Sequence, residues 1–348
     1  MGDKEYNEIV KQLKETLHSD FVHFYDIFSE KQNYKQKIDI SHPFSILNLP
    51  SQGKFYKNKQ SYVLVRYLTA VEEQVLSDEF LVESGQGIKM VIENLLMTDI
   101  PVGELVLGDF QSILIFLRST AYGDSIEVSP VCPYCKKKAE SLFKLSSLEF
   151  KEQENEPDSN GKFTVRFEGK DIDIVVKPMR FKELLEYSKE LEENFEWYQV
   201  DGKRVKIKKT QTLNLVYNIE SINGYTDKKI IAQIINKLPK KNVDQLKTFI
   251  KNNETGVQDK MLLTCSYCGS EFEQNVDIGY NFISLPAKYR EIILEEIFLI
   301  TYYGKGITRA DALSMPVYER KWHIRRIKEE LDKKHKAETA AMNKAKRK

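Results

Sequence analysis

The chain has 348 residues and is short of most features that mark a catalytic, secreted or membrane protein. Its net charge is only +1, so it lacks the global basic excess of a nucleic-acid binder. Apolar runs such as Ile113–Leu117 are far too short to span a bilayer. The opening Met1-Gly-Asp-Lys-Glu5 is polar and does not read as a signal peptide. Tyr6 stands where a myristoylation signal wants Ser or Thr. A soluble, intracellular protein is expected. The five histidines (His18, His23, His42, His323, His335) form no HExxH or other ligand cluster. Gly85 and Gly87 are not followed by the Lys-Ser/Thr of a phosphate loop. No Ser-His-Asp or Cys-His arrangement suggests itself, and the scattered carboxylates single out no catalytic pair. The expectation is a protein that is not an enzyme.

Cysteine is also scarce, and here scarcity is informative. The only four cysteines fall into two CxxC pairs, Cys132-Pro-Tyr-Cys135 and Cys265-Ser-Tyr-Cys268. A two-residue spacer lets both sulfurs of a knuckle reach one metal, so each pair reads as half of an all-cysteine structural zinc site. The flanks agree. Ile126, Val128 and Val131 precede the first pair, and Leu142, Phe143 and Leu145 follow it. Lys260–Thr264 precedes the second pair, Phe272 and Val276 follow it, and Gly269 sits where such a turn often needs a positive φ. Strand, CxxC, turn and strand is a zinc-ribbon layout, here given twice. Redox dithiols would want a βαβ setting with a helix beginning at the second Cys. Disulfides would want an oxidising compartment. Unrelated buried thiols would seldom pair off at this spacing. Four thiolates close the zinc shell and leave no position for a catalytic water. The predicted fold class is α+β, predominantly helical, with small β-sheets around a two-knuckle, zinc-ribbon-like site of Cys132, Cys135, Cys265 and Cys268.

The rest of the pattern divides the chain into five stretches. Residues 1–45 read as a helical arm, with Ile9, Leu13 and Leu17 on one face. In 46–150, a loop at Leu49–Tyr56 leads to a strand at Tyr62–Tyr67. Thr69-Ala-Val-Glu72 is a capping box opening a short helix that carries Val71 and Val75. A second helix carries Ile88, Val91, Ile92 and Leu95. A third has Asp109 as its expected N-cap, an apolar face of Phe110, Ile113, Leu114, Leu117 and Ala121, and Gly123 as its stop. Arg118 is expected on a solvated face. The acidic segment 151–160 is the best internal boundary.

In 151–258 a hairpin is predicted from Phe163–Phe167 and Ile172–Val176. A helix follows from about Phe181, and then a second hairpin turning at Asp201-Gly202 with a basic tip from Lys203 to Lys209. An all-helical block comes next, its first helix including Ile219. The second knuckle occupies 259–283. In 284–348, Ser284-Leu-Pro286 opens a helix carrying Tyr289, Ile292, Ile293, Ile297 and Ile300. Thr308 caps a short helix, and a terminal helix with Val317, Ile324, Ile327 and Leu331 on its stripe ends in a basic tail at Lys344–Lys348. That tail reads as a solvated end or as a helix for docking on an acidic partner.

Several of these segments, taken in order, resemble one family. Pro50-Ser-x-Gly-x-Phe-Tyr56, Leu68-Thr-Ala-Val-Glu-Glu73, Leu107-Gly-Asp109, Leu117-Arg118, Tyr122-Gly123, Cys132-Pro-x-Cys135 and Leu145-Ser-Ser-Leu148 are similar to the T4-type baseplate hub assembly chaperones of contractile-tailed bacteriophages. The likeness covers about residues 46–150. It implies a phage protein that binds baseplate hub or wedge proteins in the host cytoplasm during assembly, or that stays in the tail baseplate. The alternative read from the cysteines is a zinc-ribbon nucleic-acid binder of phage transcription or replication. The balanced charge and the few aromatics beside the knuckles argue against it.

Overall fold

The computed structural model describes residues 42–167, 172–193, 195–200, 203–208, 210–258 and 260–345. Residues 1–41 of the predicted helical arm, the turn pair Asp201-Gly202, Lys209 and Lys346–Lys348 lie outside the described residues, as do the side chains of the predicted basic tip; at the arm's predicted end, Phe44 and Ser45 open a strand instead of ending a helix. Pro43–Lys348 cluster into one compact unit and Met1–His42 into another, of which only His42 is described. Helices make up close to half of the described residues, and every sheet is small and antiparallel.

The first hairpin pairs β1 (Phe44–Asn48) with β2 (Tyr62–Arg66), Ile46 opposite Leu64. β2 is the predicted strand, and its Val63, Leu64 and Val65 are buried. Helix α1 (Ala70–Leu76) opens on the predicted capping box, with Glu72 accepting the Thr69 backbone N–H. Its buried residues differ from the expectation: Val71 is exposed, whereas Glu72 and Glu73 are buried. After the short α2 (Glu79–Glu83), α3 (Gln86–Leu95) buries the predicted Ile88, Val91, Ile92 and Leu95. The central helix α4 (Leu107–Tyr122) buries its predicted apolar face and stops at Gly123, φ 92°. Asp109 is not its cap. The helix begins two residues earlier, so Asp109 lies in the first turn with its side chain turned inward. Arg118 is half-buried over the Tyr122 ring at 5.1 Å rather than solvated.

The knuckle hairpins are β3 (Ser125–Val128) with β4 (Ser141–Lys144), and β10 (Lys260–Thr264) with β11 (Glu271–Asn275). Between them in sequence lies a three-stranded sheet in the order β5 (Phe163–Arg166), β6 (Asp173–Val176), β9 (Ile219–Ile222). The β5–β6 hairpin is as predicted. β9 corrects the all-helical reading of this block, because Ile219 pairs with Val176 instead of ending a helix. Around the sheet lie α5 (Phe181–Glu193), a hairpin of β7 (Phe195–Val200) and β8 (Lys203–Lys208), α6 (Thr210–Asn218), α7 (Lys228–Lys237) and α8 (Lys240–Asn253). The acidic segment 151–160 is sewn to the end of α8: Glu154 N–H donates to Asn252 O, and Asn155 N–H to the Asn253 side chain.

One apolar core runs from β2 and α4 through the sheet to both knuckles, with Phe110 stacked on Phe181 at 4.4 Å. A second, smaller core joins α1 to α9 (Tyr289–Tyr303), α10 (Arg309–Ser314) and α11 (Val317–Ala345) through Ala70, Ile293, Ile297, Ile300, Ala312 and Ile324. Thr308 caps α10 as predicted, in a capping box completed by Asp311.

Candidate metal centre

The two knuckles repeat each other in their backbone bonding. In the first, the Cys132 N–H donates to Lys137 O and the Lys136 N–H to Cys132 O. In the second, the Cys265 N–H donates to Ser270 O and the Gly269 N–H to Cys265 O. Each places the residue after its second cysteine in the left-handed region, Lys136 at φ 61° and Gly269 at φ 72°. Gly269 meets that demand without strain, whereas Lys136 carries a side chain there.

The fold then brings the two knuckles together. Cys132 Sγ lies 3.7 Å from Cys268 Sγ, and Cys135 Sγ lies 3.7 Å from Cys265 Sγ. All four sulfurs lie within 4.8 Å of one another. These distances are far beyond an S–S bond of about 2.05 Å, and the four thiols are free. A tetrahedron of thiolates about 2.3 Å from a central zinc would have edges of about 3.8 Å, so the donor set and its spacing fit that ion. Cys132 and Cys265 are buried, Cys135 is half-buried and Cys268 is exposed. Phe143, Met261, Leu263 and Phe272 join the main core around them.

The thiols differ in acidity. Cys268 is held down at about 6, chiefly by hydrogen bonds from the Ser270 side chain and backbone. At Cys135 a backbone hydrogen bond from Lys137 lowers the value, but burial and the neighbouring thiols outweigh it and push it up to about 11. Without a cation four thiolates could not share so small a volume. A divalent metal removes that conflict.

Two buried polar clusters escaped the sequence reading. In the first, Asp109 accepts from the Ser51 N–H at 2.9 Å, the Ser51 hydroxyl at 2.6 Å and the Tyr56 hydroxyl at 2.6 Å. Burial raises the Asp109 pKa against those three bonds. Beside it, a Cβ on Gly108 would lie 2.1 Å from Thr255 O, so the helix start and the approach to β10 are in backbone contact. The second cluster centres on Arg320, fully buried on α11. Its Nε donates to Glu296 on α9 at 2.9 Å, and its Nη2 to Glu73 on α1. Tyr122 donates to Glu73 at 2.9 Å, and Lys321 donates to Glu296. Burial raises Glu73 despite Arg320, while the two carboxylates outweigh burial and keep Arg320 charged. A signal existed for the first cluster: Ser51, Tyr56 and Asp109 all belong to the segments that carry the family resemblance. Glu73 and Tyr122 of the second cluster belong to such segments as well, but Arg320 and Glu296 do not, and Arg320 sits among other basic residues of a polar helix.

Residues 44–279 match the family of T4 bacteriophage base plate proteins. The match spans more than half of the chain, including both knuckles and the Asp109 cluster, and the chain belongs to that family. No curated protein and no solved structure gives a significant match. Among the described residues no helix is long and apolar enough to cross a membrane.

Proposed function

We propose that this base plate family member is a non-enzymatic assembly protein of the phage tail, which works by binding hub or wedge subunits. It does so as a transient helper in the host cytoplasm or as a resident of the base plate. The observation that carries this reading is the family match from Phe44 to Gly279, which takes in the hairpins of both knuckles and the buried Ser51–Tyr56–Asp109 cluster. Those residues make scaffold: they fix backbone segments to one another, as the Ser51 N–H and hydroxyl do on Asp109. Mass spectrometry of purified virions and of tail assembly intermediates tests it. Stoichiometric copies in virions mark a resident. Presence in intermediates alone marks a helper, and absence from both overturns the proposal.

We further propose that Cys132, Cys135, Cys265 and Cys268 hold one structural zinc ion. Bound there, zinc would supply folding energy and take the four sulfurs as thiolates. It would fix the β3–β4 and β10–β11 hairpins as one rigid platform. One observation supports the nucleic-acid reading beside it. The spacer tyrosines Tyr134 and Tyr267 are both exposed, next to Lys136, Lys137 and Lys138, and Lys137 lies over the Tyr267 ring at 5.0 Å. Aromatic faces beside cations can stack on unpaired bases. A salt-dependent shift on single-stranded DNA or RNA, lost in Tyr134→Ala/Tyr267→Ala, would favour that reading.

A further inference from the structure

Helix α9 is apolar on two sides. Its inner side, Ile293, Ile297 and Ile300, packs in the small C-terminal core. Its outer side carries Leu294, Phe298 and Tyr302 at i, i+4 and i+8, exposed by 49%, 54% and 68%. Phe298 and Tyr302 stack on each other at 5.4 Å and so present one continuous aromatic ridge. The exposed Glu291 and Glu295 flank that ridge and give it an acidic border.

Helix α11 shows the complementary lack. It is 29 residues long, and every side chain from Asp332 to Asn343 is exposed. This half extends roughly 20 Å beyond its last packed turn. This half buries no side chain among the described residues, so it is open to a partner surface. Its composition says which kind. From Asp332 to the end of the sequence there are seven Lys/Arg against two acidic residues. Ala337 and Ala341 share one face of the helix, four residues apart, and Met342 lies beside them. A basic helix with a shallow apolar face is the chemical counterpart of a protruding, acid-bordered aromatic ridge.

We propose that the free half of α11 of one copy lies along the outer face of α9 of a second copy. Small alanines let the partner backbone approach the rings of Phe298 and Tyr302, and the lysines meet Glu291 and Glu295. The same exchange in the other direction closes a twofold dimer. Both helices lie beyond residue 279, where the family match ends, so this proposal does not depend on the function proposed above.

Sedimentation velocity on the full, metal-loaded chain between 1 and 100 μM tests the proposal. The expected result is a concentration-dependent dimer whose dissociation constant rises with salt. Phe298→Glu and truncation after Leu331 should each weaken it by about tenfold or more. Both changes fall on exposed positions; unchanged far-UV circular dichroism for Phe298→Glu, and an unchanged near-UV spectrum for the truncated chain, would confirm that the variants fold. A photo-crosslinker at Met342, in a mixture of isotopically light and heavy copies, should join mixed pairs at the peptide containing Leu294–Tyr302. A monomer over the whole range overturns the proposal. So does a dimer indifferent to both variants, a crosslink that maps elsewhere, or a monomer whose α9 ridge instead captures another base plate subunit.

Discussion

Gly108 and Asp109 are neighbours held for opposite reasons, one by lack of space and one by excess of partners. A methyl group at Gly108 would meet the Thr255 carbonyl at 2.1 Å, which is backbone and cannot swing aside. Gly108→Ala should therefore cost about 3 kcal/mol, at the upper end of overpacking, read as a lower urea midpoint. Asp109→Ala strands three donors in the core and should cost a similar amount, about 3 kcal/mol. Burial sets Asp109 above the ordinary carboxylate value in the folded chain. Its contribution is thus fully present below the unfolded pKa and is lost as pH rises through the folded one. The stability gap between wild type and Asp109→Asn should be widest in acid and shrink as pH rises.

At the cysteines, Cys265→Ser should abolish stoichiometric zinc, measured by elemental analysis, and lower the melting temperature. Acid should release the zinc, because protons compete for all four sulfurs. The cysteines were legible because ligand spacing is written locally. Asp109 was misread as a helix cap because an acidic residue ahead of an apolar face is the usual cap signal. Its real partners, Ser51 and Tyr56, lie more than 50 residues away.

Among the elements, α11 is the one whose attachment the pattern hid. A stripe of Val317, Ile324, Ile327 and Leu331 is visible in the sequence, but Arg320 holds the helix to α1 and α9. Arg320→Ala leaves two buried carboxylates facing each other. It should cost about 3–5 kcal/mol and raise hydrogen exchange in α9, α10 and α11 before it does so in α4. Helices α3 and α4 were legible because their apolar residues repeat at the helical period over several turns. β1 and β9 were not, since each is a short strand defined only by its partner. Ile219 follows α6 without a Gly or Pro, and pairing with Val176 on β6 turns it from helix to strand. Tertiary context overrides propensity in such short segments.

For the molecule as a whole, the two knuckles close a loop from Lys136 to Thr264 that contains the three-stranded sheet and the four helices α5 to α8. A crosslink over a loop of about 100 residues is worth about 4.7 kcal/mol in chain entropy, and the bonds of the proposed zinc ion would add to it. Stripping the metal with a chelator should loosen this region, so that limited proteolysis cuts within 136–264 while the β2–α4 core stays resistant. Equal resistance with and without metal would count against a structural zinc. This closure was legible only as an expectation that distant pairs meet. The route by which they meet, through backbone contact at Gly108 and the strapping of 151–155 onto α8, depends on packing that no local pattern encodes.

The separation of the two thiol pairs also orders events in time. Cys265 follows Cys135 by 130 residues, so a ribosome adding about 5–20 residues per second releases the second pair roughly 6–26 s after the first. Until then the nascent chain presents a half-built chelate, and the β3–β4 hairpin has nothing to close against. A message cut short anywhere before the second knuckle yields a polypeptide that lacks Cys265 and Cys268 and so cannot assemble the four-sulfur cluster.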